Sequence, residues 1–576
     1  MVSMQRSSGR GLAQGRTRLP MRITLARFQR CGKLTTSHRL FSCALPIPLA
    51  SDSSVPIIVS MPHSELTDEQ NAVVASNARR LAVVAGAGTG KTHTLAALAA
   101  RRPGERILYA TFSKAAQTDA SHRLPPNVQA RTLSSLAFPT HGRRFRNSGK
   151  LFSTVRAASV AALFAGPDPQ LSLLRARFAI DSVHRFCQST HQQPSPPADL
   201  VSAAARAGVS QASLEADTHT LWARMSDCSD RSVPATHDAY FKAWALDGAP
   251  GLERLADRFL VDEAQDNSPV ADSLFATLSK PVVYVGDPSQ SIYAFRGAVD
   301  TLSSFDADEM LSLSVSFRFG PNVASLANAL LAHFKTSPLR MTGAALVDAI
   351  AEVQADLPFA VVTRTNAGVF SHAVTALDAG YRIELVGGPE SYAFARLIDL
   401  FNLERRKDRI VLDPLLKALG SLDAALSYAK LTGDHELKAA IRVVRQYGDD
   451  LPHLVARIKA SATRLPLGDS RPLVTLCTTH RAKGLEFGQV AMGADFPSIY
   501  LPDGNLVPAA RADQQEVNLL YVALTRACAV LCPTPSLRRL FDAYLAASAK
   551  FAQPLAATQS SHRAGSNRLS TANTLV

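Results

Sequence analysis

The segment AGAGTGKT, residues 85–92, constrains the fold of this chain more than any other feature. It follows the apolar run LAVVAG (81–86) and precedes the helix-forming run HTLAALAA. Glycines in such a loop let backbone N–H groups turn toward one point, and the N-terminus of the next helix adds positive potential there. The order of strand, glycine-rich loop and helix therefore predicts a phosphate-binding loop, with Ala85 in place of the first glycine of the usual G-x-x-x-x-G-K-[ST] pattern.

The residue types in this loop predict binding of ATP with Mg²⁺. Lys91 would reach the β- and γ-phosphates, and the Thr92 hydroxyl would ligate the metal. The predicted ATP-binding residues of the loop are Ala85, Gly86, Ala87, Gly88, Thr89, Gly90, Lys91 and Thr92.

Hydrolysis at a phosphate loop needs one carboxylate to bind the metal and another to act on the attacking water, and two adjacent residues could supply them. Asp262 and Glu263 follow the apolar run 259–261, at the carboxyl end of a predicted strand, where open α/β sheets bind ligands. We expect Asp262 to hold Mg²⁺ and Glu263 to orient or deprotonate the attacking water. An Asp-Glu pair alone is equally common at a surface strand end, so the surrounding sequence decides between the two interpretations.

Apolar runs that alternate with Ala/Leu-rich stretches predict α/β domains with parallel sheets. The predicted strands are 81–86, 106–112, 258–266, 282–287, 359–365 and 474–480. At 576 residues the chain is too long for one hydrophobic core. We predict two RecA-like motor domains, each with a helical insertion: 61–137 with 246–312, and 313–395 with 471–550; the insertions are 138–245 and 396–470.

The apolar runs, the cysteines and the net charge limit which classes of protein this chain can belong to. No apolar run reaches 18 residues, so we expect no membrane span. The seven cysteines are odd in number and form no C-x-x-C pair, which favours a reducing compartment over a disulfide framework. The net charge is +14, but residues 1–51 carry eight Arg, Lys33 and no acidic residue, so only +5 remains for the rest.

The two ends of the chain are expected to lie outside the folded body. Residues 1–60 have the composition of an organellar transit peptide, but we favour a disordered basic arm or a translation start at Met61. Residues 551–576 are rich in Ser, Thr, Asn and Ala and are predicted to be a disordered tail. The expected location is therefore the cytoplasm, in association with the nucleoid.

Further phrases give the chain a family resemblance. VDEAQD (261–266) and VVYVGDPSQSIYAFRGA (282–298) resemble motifs II and III of the UvrD/Rep-type superfamily 1 helicases. The remaining motifs follow in order: LTDEQNAVV (66–74), TFSKAA (111–116), RTLSSLAF (131–138), SVSFRFG (314–320), TTHRAKGLEF (478–487) and LLYVALTRA (519–527). Phrases such as THDAYFKAW (236–244) and ERRKDRIV (404–411) are similar to the F-box DNA helicases, in a form without the F-box.

The resemblance implies roles for residues far from the loop. Gln70 resembles the glutamine that recognises adenine, and Glu486 the carboxylate that contacts the nucleotide sugar. Gln290 resembles the residue that links the γ-phosphate to the DNA site, while Arg318 and Arg526 match two arginines that approach the γ-phosphate. A guanidinium supplied across a cleft stabilises the charge of phosphoryl transfer only when the cleft closes.

The same resemblance implies a track for single-stranded DNA. Aromatic faces suit such a track because base stacking tolerates any sequence. The predicted DNA-binding residues are Phe112, Tyr293, Phe295, Thr479 and His480. Ser134 stands where relatives have His, so no contact is assigned to it.

The expected function is an ATP-dependent DNA helicase that moves 3′ to 5′ on single-stranded DNA and acts at single-strand/double-strand junctions. The resemblance implies a role in recombination or repair, including removal of a recombinase filament. Two alternatives remain open: a translocase that does not unwind duplex, and a non-catalytic DNA-binding scaffold. The scaffold ranks last because Lys91, Glu263 and Arg526 are all present.

Overall fold

The structure, a computed structural model, describes residues 65–548 apart from 295, 296, 298–300, 337, 338 and 464–470. The predicted leader (1–60) and tail (551–576), as well as Phe295, lie outside the described residues. Within the described part, every helix is too short or too polar to cross a bilayer.

The first sheet has six strands, all paired in parallel. In chain order they are β1 (Arg80–Ala85), β2 (Ile107–Thr111), β3 (Val128–Thr132), β4 (Arg258–Asp262), β5 (Val282–Gly286) and β6 (Glu309–Leu313). Their spatial order is β3-β2-β4-β5-β1-β6. Every residue of β2, β4 and β5 is buried, as expected for the centre of a parallel sheet covered on both faces.

A second parallel sheet of six strands follows a short parallel pair. The pair is β7 (Val315–Ser316) and β8 (Thr342–Gly343). The strands of the sheet are β9 (Ala349–Ile350), β10 (Phe359–Thr363), β11 (Arg382–Leu385), β12 (Leu473–Thr478), β13 (Phe487–Met492) and β14 (Ala527–Cys532). Their spatial order is β11-β12-β10-β13-β14-β9.

Helices that precede β7 either flank the first sheet or form its insertion. Flanking the sheet are α1 (Asp68–Ala75), α2 (Lys91–Ala100) and α3 (Lys114–Arg123). The insertion between β3 and β4 contains α4 (Leu133–Ala137), α5 (Arg143–Asn147), α6 (Ala157–Val160), α7 (Pro169–Gln188), α8 (Ala198–Arg206), α9 (Gln211–Ser226) and α10 (His237–Leu246). The sheet then resumes with α11 (Pro269–Ala276) and α12 (Thr301–Ser304).

The later helices repeat this arrangement around the second sheet. The first two are α13 (Pro321–Phe334) and α14 (Asn366–Asp378). The insertion between β11 and β12 contains α15 (Phe394–Glu404), α16 (Pro414–Leu419), α17 (Leu422–Leu431), α18 (His435–Tyr447) and α19 (Leu451–Thr463). After it come α20 (Thr479–Ala482), α21 (Gln514–Leu524) and a helical segment at 535–548.

The predicted fold class is confirmed: two parallel α/β sheets are each interrupted by helices. The apolar alternation carried this prediction because the central strands are buried on both sides. The predicted strand 258–266 was too long, since β4 ends at Asp262 and Ala264–Asp266 form a 3-10 turn. The two sheets also share core, because Ala87 and Ile292 are buried in the apolar cluster formed mainly by the second sheet.

Candidate functional site

The predicted phosphate loop lies between β1 and α2. Gly88 has a φ of +76° and Gly90 a φ of +79°, a left-handed conformation that glycine adopts without steric cost. The Lys91 Nζ donates to the carbonyl oxygens of Ala85 and Gly86, at 3.2 Å each. The ammonium therefore lies over the mouth of the loop, where a phosphate would be held.

The two predicted carboxylates adjoin this loop. Asp262, the last residue of β4, accepts hydrogen bonds at Oδ2 from the Tyr109 hydroxyl and from Thr92 Oγ1, the latter at 3.3 Å. Glu263 has a left-handed φ of +53°, which is strained for a residue with a side chain. The Gln265 amide donates to Glu263 Oε2, so the strained turn holds the Glu263 carboxylate in one place.

Burial and nearby charge separate the two carboxyl groups electrostatically. Burial and then the neighbouring Glu263 raise the pKa of Asp262. Burial also opposes ionisation of Glu263, but the charges of Lys91, Lys483 and Arg526 and the hydrogen bond from Gln265 together outweigh it and lower the pKa of Glu263. The arrangement therefore keeps Glu263 as the charged carboxylate, able to accept a hydrogen bond from water.

The oxygen groups near the loop fit a Mg²⁺ ion that arrives with a nucleotide. The Thr92 hydroxyl and the Asp262 carboxylate are 3.3 Å apart, and both are hard oxygen ligands of the kind Mg²⁺ prefers. In the described part of the chain, no three His, Cys, Asp or Glu side chains could hold a metal together. Phosphate oxygens and water would have to complete the coordination.

The side chains predicted to contact adenine and the nucleotide sugar, Gln70 and Glu486, already have hydrogen-bond partners within the protein. Gln70 accepts from the Thr67 backbone N–H at 3.0 Å and donates to the Thr89 carbonyl oxygen at 3.3 Å. Glu486 accepts from Arg318 Nε at 2.7 Å. Each of these side chains would have to exchange a protein partner for the nucleotide.

Arg318 and Arg526, the predicted arginines, both reach the first sheet's site from the second half of the chain. A Cβ on Gly88 would lie 2.6 Å from the Cβ of Arg318, so the segment after β7 packs directly on the phosphate loop. Arg526, two residues after the end of α21, is 1% exposed, and its Nη2 donates to Gln290 Oε1 at 3.4 Å. Gln290 in turn donates to Asp287 Oδ2 at 2.7 Å. The structure therefore brings both arginines and Gln290 together at one cleft.

The predicted DNA residues that are described form a second group at this cleft. Phe112 follows β2 directly, and its ring stacks on Tyr293 with centroids 5.9 Å apart. The His480 ring lies 6.0 Å from Tyr293, and its Nε2 is 3.2 Å from the Ile292 carbonyl oxygen. Burial lowers the pKa of His480 to about 4, so its imidazole is neutral near pH 7.

Thr479 lies differently from the other predicted DNA residues. Its side chain is completely buried, and its hydroxyl donates to the Thr363 carbonyl oxygen at 3.2 Å. In this arrangement the hydroxyl ties the start of α20 to the end of β10. Beside Tyr293 and His480 lies an open cavity of about 310 Å³, with other lining residues Arg364, Asn366, Ser391, Glu436, Thr478 and Arg481.

Sequence reasoning missed two residues that join the halves of the site. The Tyr521 hydroxyl accepts from the Ala87 backbone N–H at 3.3 Å and donates to Asp287 Oδ2 at 3.0 Å. The Lys483 ammonium forms an ion pair with Asp266 at 2.5 Å. Both residues stand inside the phrases LLYVALTRA and TTHRAKGLEF, so motif position was a signal, but nothing in their spacing indicated which partners they meet.

Comparison with known proteins gives two family matches. Residues 69–296 match the model described as an AAA domain, and residues 436–534 match the UvrD-like helicase C-terminal domain. The chain is 29% identical over 519 residues to F-box DNA helicase 1 of Gallus gallus, covering 84% of this chain and 50% of the relative.

Two further relatives have a similar level of sequence identity. F-box DNA helicase protein 1 of Schizosaccharomyces pombe is 28% identical over 527 residues, covering 84% of this chain and 60% of the relative. ATP-dependent DNA helicase UvrD2 of Mycobacterium tuberculosis is 25% identical over 552 residues, covering 80% of this chain and 77% of the relative. The chain thus spans only 50% to 60% of the length of the two F-box relatives.

Proposed function

Because the chain belongs to the UvrD-like helicases of superfamily 1, we propose that it is an ATP-dependent DNA helicase that moves along single-stranded DNA. The observation that carries the proposal is the position of Arg526. This buried guanidinium comes from the second half of the chain and contacts Gln290 beside the site formed by the first sheet. A γ-phosphate bound at the loop would meet a cation from the opposite side of the cleft.

The proposed hydrolysis uses groups that already adjoin one another. Lys91 and the loop amides bind the phosphates, and Thr92 with Asp262 would hold Mg²⁺, which supplies charge neutralisation at the phosphates. Glu263 orients the attacking water and accepts its hydrogen bond. Arg318 and Arg526 stabilise the charge that develops on the γ-phosphate oxygens.

The proposed DNA track is the group of aromatic and polar residues at the same cleft. Phe112 and Tyr293 offer stacked rings, and base-on-aromatic stacking contributes about 1–3 kcal/mol per base without regard to sequence. The cavity of about 310 Å³ beside them is lined by Arg481, whose charge suits phosphates, and by Arg364, which is already paired with Glu516. Phe295, Thr479 and His480 remain proposed contacts on the strength of the resemblance.

The motor domains are proposed with the predicted boundaries, 61–137 with 246–312 and 313–395 with 471–550. By resemblance we propose 3′ to 5′ movement and a role in recombination or repair, including removal of a recombinase filament. Such a motor would act where its DNA lies, at the nucleoid.

The test measures ATP hydrolysis with and without single-stranded DNA, and unwinding of duplexes that carry a 3′ or a 5′ tail. We expect DNA to raise turnover and only the 3′-tailed duplex to be unwound. Stimulation without unwinding of either duplex would favour the translocase that does not separate strands. Absence of ATP hydrolysis with intact nucleotide and DNA binding would refute the motor and favour the scaffold.

A further inference from the structure

The open cavity beside Tyr293 and His480 has a volume and a lining that suit a single nucleobase. Its volume of about 310 Å³ is in the range in which proteins hold small ligands. The rings of Tyr293 and His480 belong to its lining, with centroids 6.0 Å apart, and the His480 imidazole is neutral near pH 7. A base that stacks on these rings would bring its hydrogen-bonding edge to the polar residues of the lining.

A carboxylate and an amide form one polar part of this lining. Asn366, the first residue of α14, donates from Nδ2 to Glu436 Oε2 at 3.0 Å. Glu436 belongs to the first turn of α18, in the second insertion, and its side chain is exposed. An ionised carboxylate only accepts hydrogen bonds, so the Asn366 NH₂ group must face it, and the amide oxygen is left for a ligand. The pair therefore offers a ligand mainly hydrogen-bond acceptors.

The two arginines of the lining do not balance these acceptors at the edge of a base. Arg364 is paired with Glu516, to which its Nε and Nη2 both donate. Arg481 donates to the Ser391 carbonyl oxygen at 2.8 Å, and its guanidinium lies 5.0 Å from the ring centroid of Tyr392. Because Arg481 is exposed, it can bind a phosphate of a strand whose base lies in the cavity. The base itself would then meet mostly acceptors.

Glu436 is an unfavourable group in a DNA-binding cavity unless the strand donates a hydrogen bond to it. A carboxylate repels the phosphates of every DNA and so weakens binding of all sequences alike. Cytosine and adenine carry exocyclic amino groups that donate, whereas thymine presents the O4 carbonyl oxygen at the same place. Thymine would therefore set acceptor against acceptor. Stacking tolerates any sequence, so a preference among bases has to come from this polar lining.

We propose that this cavity reads one base of the bound single strand, and that Glu436 is a specificity-determining residue that favours cytosine and adenine over thymine. The inference rests on the proposed single-strand motor, whose DNA track includes Tyr293. The base stacks on Tyr293 and His480, and its amino group donates to Glu436. The Asn366 amide holds that carboxylate in position, and Arg481 binds the adjoining phosphate.

The test measures dissociation constants for oligo-dC and oligo-dT of equal length at pH 8. Both bases are pyrimidines, so the comparison leaves out the larger stacking surface of purines. A good pair between a side chain and a base edge discriminates by about fivefold or more, so the unaltered protein should bind oligo-dC at least fivefold more tightly. Glu436→Gln keeps the size and gains a donor, so it should bind oligo-dT more tightly than the unaltered protein does. The control, Glu215→Gln, removes an exposed carboxylate of α9 and should keep the preference.

A second variant, Asn366→Ala, should also reduce the preference, because the carboxylate loses the group that holds it. In both variants we expect the ratio of the two dissociation constants to fall to less than half of that in Glu215→Gln. A preference below fivefold in the unaltered protein would overturn the proposal. So would a ratio above half of the control's in either variant, since the carboxylate would then act only through its charge. If the unaltered protein binds neither oligonucleotide, the proposed motor fails instead, and the two failures are thereby distinguished.

Discussion

Replacing Arg526 with methionine should abolish most DNA-stimulated ATP hydrolysis without lowering thermal stability. The guanidinium is 1% exposed and donates to the carbonyl oxygens of Val522 and Leu485, at 2.9 and 3.3 Å, and to the Gln290 side chain. Arg318, its cationic neighbour, is the one paired with Glu486. Burial and then repulsion by Arg318 lower the pKa of Arg526 from 12.5 to about 9.

The size of this effect follows from the lowered pKa. At about 1.4 kcal/mol for each pH unit, the charged side chain costs the folded state about 5 kcal/mol at any pH below 9. That cost is already net of the hydrogen bonds that Arg526 donates to Val522, Leu485, Gln290 and Thr525, because a pKa shift reports every interaction of the charged form. Methionine removes the buried charge and preserves much of the volume, so the melting temperature should stay level or rise.

Turnover should respond quite differently from stability. A γ-phosphate would supply the anionic partner that Arg526 lacks among the described residues, and arginine contacts of this kind contribute about 10³-fold or more in phosphoryl transfer. The assay is turnover with saturating ATP and single-stranded DNA, paired with thermal unfolding, and Arg511→Met serves as an exposed control. Stimulated turnover within tenfold of that control would refute the role. A fall in melting temperature of several degrees would show that Arg526 serves the fold.

Four further variants test individual side chains, three of them in the candidate site. Glu263→Gln should bind ATP with unchanged affinity and lose turnover, whereas Lys91→Ala should weaken binding itself; equilibrium binding of a nucleotide analogue and steady-state turnover separate the two. Tyr521→Phe leaves the Ala87 N–H without its partner, at a cost of about 1–3 kcal/mol, so the melting temperature should fall and a phosphate-containing ligand should restore more of it than in the unaltered protein. Burial raises the pKa of Asp272 to about 7, so its contribution to stability is complete below pH 4 and is lost as the pH rises to 7. Asp272→Asn should therefore raise the melting temperature at pH 8 and leave it unchanged at pH 4.

Sequence patterns predicted the central strands well because their burial leaves a plain apolar signature. LAVVA and VVYVG belong to interior strands of the first sheet, and their apolar runs indicated them. The strands that were missed are edge or partly exposed ones. β3 (VQART) is at an edge and has no fully buried residue, and β6 (EMLSL) alternates with polar residues at the other edge. A short edge strand forms through its neighbour's backbone, which a local pattern cannot show.

The candidate site likewise contains residues that the local sequence indicated and contacts that it could not indicate. Lys91, Thr92 and Asp262 could be placed from local order, since each follows a strand of the same parallel sheet and the ends of such strands meet at one edge. Contacts between the halves were beyond local reasoning. Tyr521 meets Ala87 and Lys483 meets Asp266 across more than 200 residues of sequence. Their pairing depends on how the two sheets dock, which no spacing encodes.

The chemistry of these contacts bears on how such a cleft could open and close. Tyr521 binds the Ala87 N–H, Lys483 binds Asp266, and Arg526 binds Gln290, so much of the junction is polar and buried. Separating polar groups lets water replace each lost partner, whereas separating apolar faces exposes surface that water solvates poorly. The Ala87 N–H also belongs to the loop that would hold phosphates, so nucleotide and Tyr521 would compete for one donor. A ligand that binds one arrangement of the halves better than the other must shift the balance between them. Nucleotide binding and docking of the two sheets are therefore linked by shared hydrogen-bond donors, and the Tyr521 hydroxyl is where that linkage is most direct.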